Sequence, residues 1–395
     1  MRSIIYSSRA MTQDAPRNTY AKIDELKYRT RAACALLGVS DVTLRAYSEN
    51  SGIAVPRAET GVPVRLFDID TLFRLTDWRR TSGLVKIPKQ AGKPVFVTVD
   101  VVKGGTGKTT TAVETAIHLQ FLGLKVLAID LDVQANLTQC FGYEDDIVLE
   151  EIERFGVTAE ALIEQTFAKL VKPFIEYKRT RRAMPDLNGL IKKPFGLHGP
   201  HVIGADTYLG DLELDIANST GPREMLFKAM FDLSLEGKIP GFDLTQYDVV
   251  IMDCPPNVSL TSTAALAAAD LVIAPVRMDS FAVKGLRRLI GEIESVEESY
   301  KVRPELVILP THYSPQFSRI SRMQASVNQY ADSLAPQPIS LSEEFPKAIE
   351  NYLPLALQRP TSNGSKEYQV FAEFIHGKIL QIAAAKAKKA THETT

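Results

Sequence analysis

The sequence predicts an α/β protein, a mostly parallel, doubly wound sheet preceded by a smaller, largely helical N-terminal unit. Three observations carry this. From residue 94 onward, β-branched runs alternate with helical spacings. A glycine-rich turn, "KGGTGKTT" (103 to 110), falls where the first of those strands hands over to a helix. A stretch of Pro, Gly and Lys, "LVKIPKQAGKPV" (84 to 95), divides this pattern from a different one before it.

With 395 residues, 45% hydrophobic and 24% charged, the chain can bury one large core or two unequal ones, which excludes disordered and fibrous classes. Its first ten residues lack the apolar segment of a signal peptide, and the run "STAALAAADLVIAPV" (262 to 276) is short and broken by Asp270. A cytoplasmic protein without membrane contact is expected. Cys34, Cys140 and Cys254 have no C-x-x-C spacing and are read as small buried residues, not as a disulfide framework or a zinc set. Net charge is −1, yet residues 1 to 94 carry 16 Lys/Arg against 9 Asp/Glu, leaving 30 against 38 for the rest. That basic end points to nucleic acid.

Residues 1 to 30 are taken as an N-terminal helix or arm, because "AKIDELKYRTRAACALL" can run helically into the next unit; a dimerising helix and a frayed terminus both remain open. Residues 31 to 93 hold a helix-turn-helix pattern. Ala33, Leu36 and Leu37 share one face, Gly38 breaks the helix, Ser40 caps the next, and Leu44 and Tyr47 turn inward. "VPRAETGVPVRLF" (55 to 67) then reads as two extended runs around a turn, and "DIDTLFRLTDWRR" (68 to 80) as a closing helix. The ensemble resembles the winged helix-turn-helix DNA-binding domain of MerR-type regulators. Thr43 and Arg45 are expected at base edges, Arg57 and Arg65 at phosphates.

Residues 94 to 395 form the α/β part. "PVFVTVDVV", "KVLAIDLD", "YDVVIMDCPP", "DLVIAPV" and "ELVILPT" read as buried strands, and Ala112, Ala116 and Leu119 as one face of the helix after the first. Ligands of such sheets bind at the carboxyl ends of the strands. There the backbone N–H groups of Lys103, Gly104, Gly105, Thr106, Gly107, Lys108, Thr109 and Thr110 are expected to cradle phosphates. Lys108 would bridge the β- and γ-phosphates, and the Thr109 hydroxyl would ligate Mg²⁺, with Asp253 holding it through water. Asp130 and Asp132 end the neighbouring strand, and a carboxylate there is a candidate to position the attacking water.

The loop departs from the strict pattern G-x-x-x-x-G-K-S/T, because Val102 stands at the first glycine and Lys103 follows it. Together with "DLDVQANLT" and "DCPP", this resembles the P-loop NTPases with a deviant Walker A motif, the ParA/MinD class. The helix-turn-helix makes the chain similar to the large, DNA-binding type of ParA plasmid-partition ATPase. The similarity covers residues 95 to about 142 and 247 to 360, including "PVRMDSFAVKGL" and "LPTHY". It implies an ATP-sandwich homodimer in which Lys103 reaches the partner's nucleotide, Asp132 as the catalytic aspartate (with Val133 where the family has proline), and weak Mg²⁺-dependent ATP hydrolysis. It further implies a ParB-like centromere-binding partner that stimulates turnover, operator binding with autorepression, and non-specific, nucleoid-associated DNA binding in the ATP state, for which Arg319 and Arg322 are the candidates. Without an N-K-x-D sequence, guanine is not the expected base. Alternatives are a repressor with nucleotide as effector, an ATPase positioning another cargo, and an iron-sulfur reductase, which lacks a second suitable cysteine. Residues 145 to 245 match least, and their basic stretch "KPFIEYKRTRRAMPDL" (172 to 187) reads as a solvated helix or loop.

Overall fold

The computed structural model describes residues 23, 25–58, 64–88, 93–144, 147–155, 159–278, 282–314 and 328–393. Among these, six strands form one parallel sheet in the order β5-β4-β6-β3-β7-β8, with β3 Val95–Val99, β4 Val126–Asp130, β5 His201–Ile203, β6 Val249–Asp253, β7 Leu271–Arg277 and β8 Glu305–Thr311. β3 and β4 are buried at every position, as a sheet covered on both faces requires. The period of two divides the side chains between layers: Val249 and Ile251 enter one core, Val250 and Met252 the other.

The chain starts with β1 Lys27–Arg29, followed by α1 Thr30–Leu37 and α2 Asp41–Asn50. Gly38, at φ +64°, ends α1 in the left-handed region, and Ser40 caps α2 by accepting from the Thr43 N–H at 3.1 Å. β2 Leu66–Asp68 pairs antiparallel with β1, and α3 Ile69–Thr81 follows, capped by Asp68. Local spacing predicts a helix through Lys27–Arg29, but the segment is a strand. Its pairing with β2 buries Tyr28, whose hydroxyl donates to the Leu357 carbonyl at 2.9 Å, and this tertiary anchor overrides the helical spacing.

On one face of the sheet lie α4 Lys108–Phe121 and the long C-terminal helix Asn363–Glu393, and the N-terminal unit packs onto them. Tyr28, Leu36, Phe67, Leu72 and Phe73 belong to the same core as Val97, Ile117, Phe121 and Tyr368. The core therefore runs across the Pro/Gly/Lys-rich stretch. α5 Asn136–Cys140 joins that same core through Leu137 and Cys140, whereas the other face is covered by α6 Phe167–Thr180, α7 Leu209–Ala217 and α8 Leu226–Leu235 from between β4 and β6, together with α9 Leu260–Ala268 and α10 Ala282–Tyr300. The basic stretch contributes the end of α6, an amphipathic helix whose Phe167, Leu170, Val171 and Phe174 are buried while Lys169, Lys172 and Arg179 stay exposed. Among the described residues no helix is long and apolar enough to cross a membrane.

Candidate functional site

Register brings the acids together. Asp253 pairs with Val99 on one side and with Asp130 on the other, so β3, β4 and β6 end level where the glycine loop leaves β3. Gly105 (φ +68°) and Gly107 (φ +89°) take left-handed conformations that a side chain would strain, and Gly107 opens α4 without a side-chain cap. The loop is braced from outside: Thr311 at the end of β8 donates its hydroxyl to the Thr106 carbonyl at 2.8 Å. The Lys108 ammonium, almost buried, donates to the carbonyls of Lys103 (2.9 Å) and Val101 (3.4 Å). Lys103 itself is half-buried.

The three aspartates play different parts. Asp130 is saturated, accepting from the Thr138 N–H (2.9 Å), the Thr138 hydroxyl (2.7 Å) and the Asp132 N–H (3.1 Å), so it holds the turn rather than facing a ligand. Asp132 accepts the Gln134 N–H at 3.0 Å. Asp253 is fully buried, and neither carboxylate oxygen has a protein partner at normal hydrogen-bond geometry. Burial and then the Asp130 charge push its carboxyl well above the usual carboxylate range, against the pull of Thr109 and Lys108. A buried carboxylate with bare oxygens beside a threonine hydroxyl fits a divalent cation, which would neutralise it, and Thr109 and Asp253 are the residues that would hold Mg²⁺.

Sequence reasoning passed over several groups. Asp100, just after β3, is buried with both oxygens unpartnered, and burial raises it to about 7, with Lys108 opposing and Glu292 reinforcing the shift. Glu114, further along α4, accepts the Leu355 and Ala356 N–H groups at 2.6 and 3.1 Å and fastens the C-terminal segment to the loop's helix. Beside the loop lies a cavity of about 340 Å³ lined by Gly105, Gly107 and Thr110, by Arg277, Thr311 and His312 at strand ends, and by Ile339, Phe345 and Tyr368. Gly105, Gly107 and Thr110 belong to the predicted loop, and Arg277, Thr311 and His312 to the family-like stretches, whereas no local pattern marks Asp100, Glu114, Ile339, Phe345 or Tyr368, which meet only through the fold.

None of the DNA-contact candidates Thr43, Arg45, Arg57 and Arg65 lines this cavity. Arg45, exposed on α2, pairs with Asp41 at 2.9 Å, and the Thr43 hydroxyl shares a hydrogen bond with Ser40 at 2.8 Å. Arg57 and Arg65 are bridged antiparallel, with Ala58 N–H donating to the Val64 carbonyl. Arg57 is exposed, and Arg65 pairs with Glu49 at 3.5 Å. Residues 59–63, which include the expected turn "ETG", and Arg319 and Arg322 lie outside the described residues.

Known proteins share both the sequence pattern and the fold. A family model described as an AAA domain matches residues 95–308, more than half of the chain. Cell division protein PomZ of Myxococcus xanthus is 26% identical over 321 residues, 80% of this chain and 88% of that protein. The chromosome-partitioning ATPase Soj of Thermus thermophilus is 28% identical over 289 residues, 70% and 93% respectively. Among solved structures, a putative plasmid partition protein of Borrelia burgdorferi bound to AMPPNP superimposes with a TM-score of 0.53 at 21% identity, covering 72% of this chain and 99% of that one. A Cyanothece McdA variant in complex with ATP gives 0.55 at 21%, covering 73% and 96%. At such identities the structural likeness is one of fold.

Proposed function

Because the chain belongs to the AAA-domain family of ParA/Soj-type P-loop ATPases, we propose that it is an ATP-dependent partition ATPase whose nucleotide closes a sandwich homodimer. The observation that carries this reading is Asp253, bare and buried, next to Lys108 and Thr109 and across one register step from the Asp130–Asp132 turn. ATP with Mg²⁺ fills that need, and AMPPNP and ATP in two similar folds support the choice. When bound, Mg²⁺ supplies charge neutralisation at the phosphates. Lys108 holds the β- and γ-phosphates, Asp132 orients the attacking water, Lys103 reaches the nucleotide of the partner subunit, and the cavity walled by Ile339, Phe345 and Tyr368 receives the nucleoside.

Residues 94–395 constitute the ATPase in this reading, 31–93 a winged helix-turn-helix that reads an operator through Thr43 and Arg45 and grips phosphates through Arg57 and Arg65, and 1–30 an arm. Arg319 and Arg322 serve non-specific DNA binding in the ATP dimer, and a ParB-like protein stimulates hydrolysis. The exposed Arg45 and Arg57 and the basic excess before residue 95 support the DNA role. One observation favours a second reading, a repressor with nucleotide as effector: the N-terminal unit packs directly on the helix that carries the loop. Light scattering with ATP and Mg²⁺ tests the first. Wild type is expected to dimerise, and Lys103→Ala to bind ATP as a monomer. Equal loss of ATP affinity in Lys103→Ala and Lys108→Ala monomers would contradict the role of Lys103 across the dimer.

A further inference from the structure

We propose that Arg277 is a phosphate-binding residue of the nucleotide cleft, supplied by the same subunit that carries the loop; this rests on the ATP reading above. β7 is buried at six positions and exposed at its seventh and last, Arg277, at the carboxyl end of the strand beside β3. The Met278 N–H is fixed to the Thr311 carbonyl at 3.1 Å, so the strand end is held level with β8. From there the side chain lines the cavity shared with Gly105, Gly107 and Thr110. A Cβ built on Gly105 would lie 3.9 Å from Arg277 Nη1, which puts the guanidinium along the edge of the glycine turn itself.

The cavity is chemically two-ended. Away from the loop it is walled largely by the apolar and aromatic side chains of Ile339, Leu341, Phe345, Pro346, Ile349 and Tyr368, with Ser340, Ser342 and Glu343 among them, and Phe345 meets Tyr368 edge to face at 5.5 Å. A base suits that wall. The end holding the glycine turn, Thr110 and Arg277 suits the phosphate chain, for which a planar guanidinium offers paired donors without heavy desolvation. Lys108 is drawn toward the carbonyls of Val101 and Lys103, inside the loop, so Arg277 supplies a second cation at the loop's edge.

The test uses the full chain with Mg²⁺ and competition against a fluorescent ATP analogue, with ATP and inorganic tripolyphosphate as the competing probes. Arg277→Met is expected to weaken both by about tenfold to a hundredfold, the loss of one charge-assisted contact. Arg277→Lys, which keeps the charge and guards against a folding artefact in the first variant, is expected to recover part of both. If ATP weakens while tripolyphosphate does not, the guanidinium serves the nucleoside and the proposal is overturned; unchanged affinity for both overturns it as well. Lys108→Ala is measured alongside: if that variant still bound ATP at wild-type strength, the nucleotide reading of the cleft would be the part that fails.

Discussion

The two ends of α4 differ in how their polar groups are satisfied. At the first turn, Asp253, Asp100 and the Thr106 hydroxyl are buried without partners, and the helix begins on a glycine. At the last turn the free carbonyls are taken up by the N-terminal unit. Arg79 donates to the Phe121 carbonyl and to that of Leu37 at the end of α1, and its guanidinium lies 5.6 Å from the centre of the Tyr47 ring on α2. Arg80 donates to the Gly123 carbonyl and pairs through both terminal nitrogens with Asp248. Phe73 stacks on Phe121 at 4.6 Å and touches Phe195 of the β4–β6 segment, which in turn meets Phe141 just beyond α5. Buried unpaired groups cost about 1–3 kcal/mol each, so a cluster of them at a helix start persists where a ligand completes it. One end of the helix is built for exchange of partners, the other is a joint that makes the N-terminal unit part of the ATPase body.

The contrast is broken most severely at the open end. Lys108→Ala is expected to lower ATP affinity by about a hundredfold or more, since it removes a charge that phosphate would share, with little change in the denaturation midpoint. Calorimetric titration checks the first part and urea melts the second. At the joint the pattern reverses. Phe73→Ala is expected to cost about 3–5 kcal/mol, because the ring is fully buried between two others. Arg79→Met, which strands two buried carbonyls, should cost about 3 kcal/mol, and urea melts measure both. A joint variant that loses ATP affinity at full stability would show that the two ends are not separable in this way.

A smaller effect comes from the flank of the helix. His118 on α4 is fully buried, and desolvation lowers it from 6.5 to about 4. A depressed histidine contributes stability that is present above pH 6.5 and lost as pH falls through about 4. Glu114, raised to about 7, does the opposite: its contribution is present below 4.5 and lost as pH rises through about 7. The stability difference between wild type and His118→Leu should therefore grow with pH from about 4 to 6.5, by at most about 1.4 kcal/mol per unit, and level off above. Parallel curves in urea melts across that range would exclude the histidine as the cause.

The open end is legible in the sequence and the joint is not. "KGGTGKTT" announces itself because a phosphate cradle needs small residues in fixed order, and Asp253 and Asp132 are found by asking where the adjacent strands end. β5 gives no signal because three residues, His201–Ile203, between Gly-Pro and Gly are too short to show a period. Arg277, Glu114 and Phe345 lie far apart in the chain and acquire meaning only through strand order and the packing of the C-terminal helix. Phe73, Phe121, Phe141 and Phe195 each look like ordinary core positions, and their meeting depends on the β4–β6 segment that resembles the family least. The change of pattern near residue 90 is real in composition, yet the core crosses it, since linker chemistry reports on the backbone locally and not on what the flanking faces bury.

The most direct test of a cleft built to take ATP and hydrolyse it is phosphate release by Asp132→Ala, measured beside ATP binding in the same preparation with Mg²⁺. The Asp132 carboxylate accepts the Gln134 N–H, a contact outside the loop, and Lys108, Thr109 and Asp253 stay intact in the variant. The expected result is ATP affinity within about threefold of wild type and turnover lowered by about a hundredfold or more, the usual worth of a group that positions a reacting proton. Wild-type turnover in that variant would contradict the account.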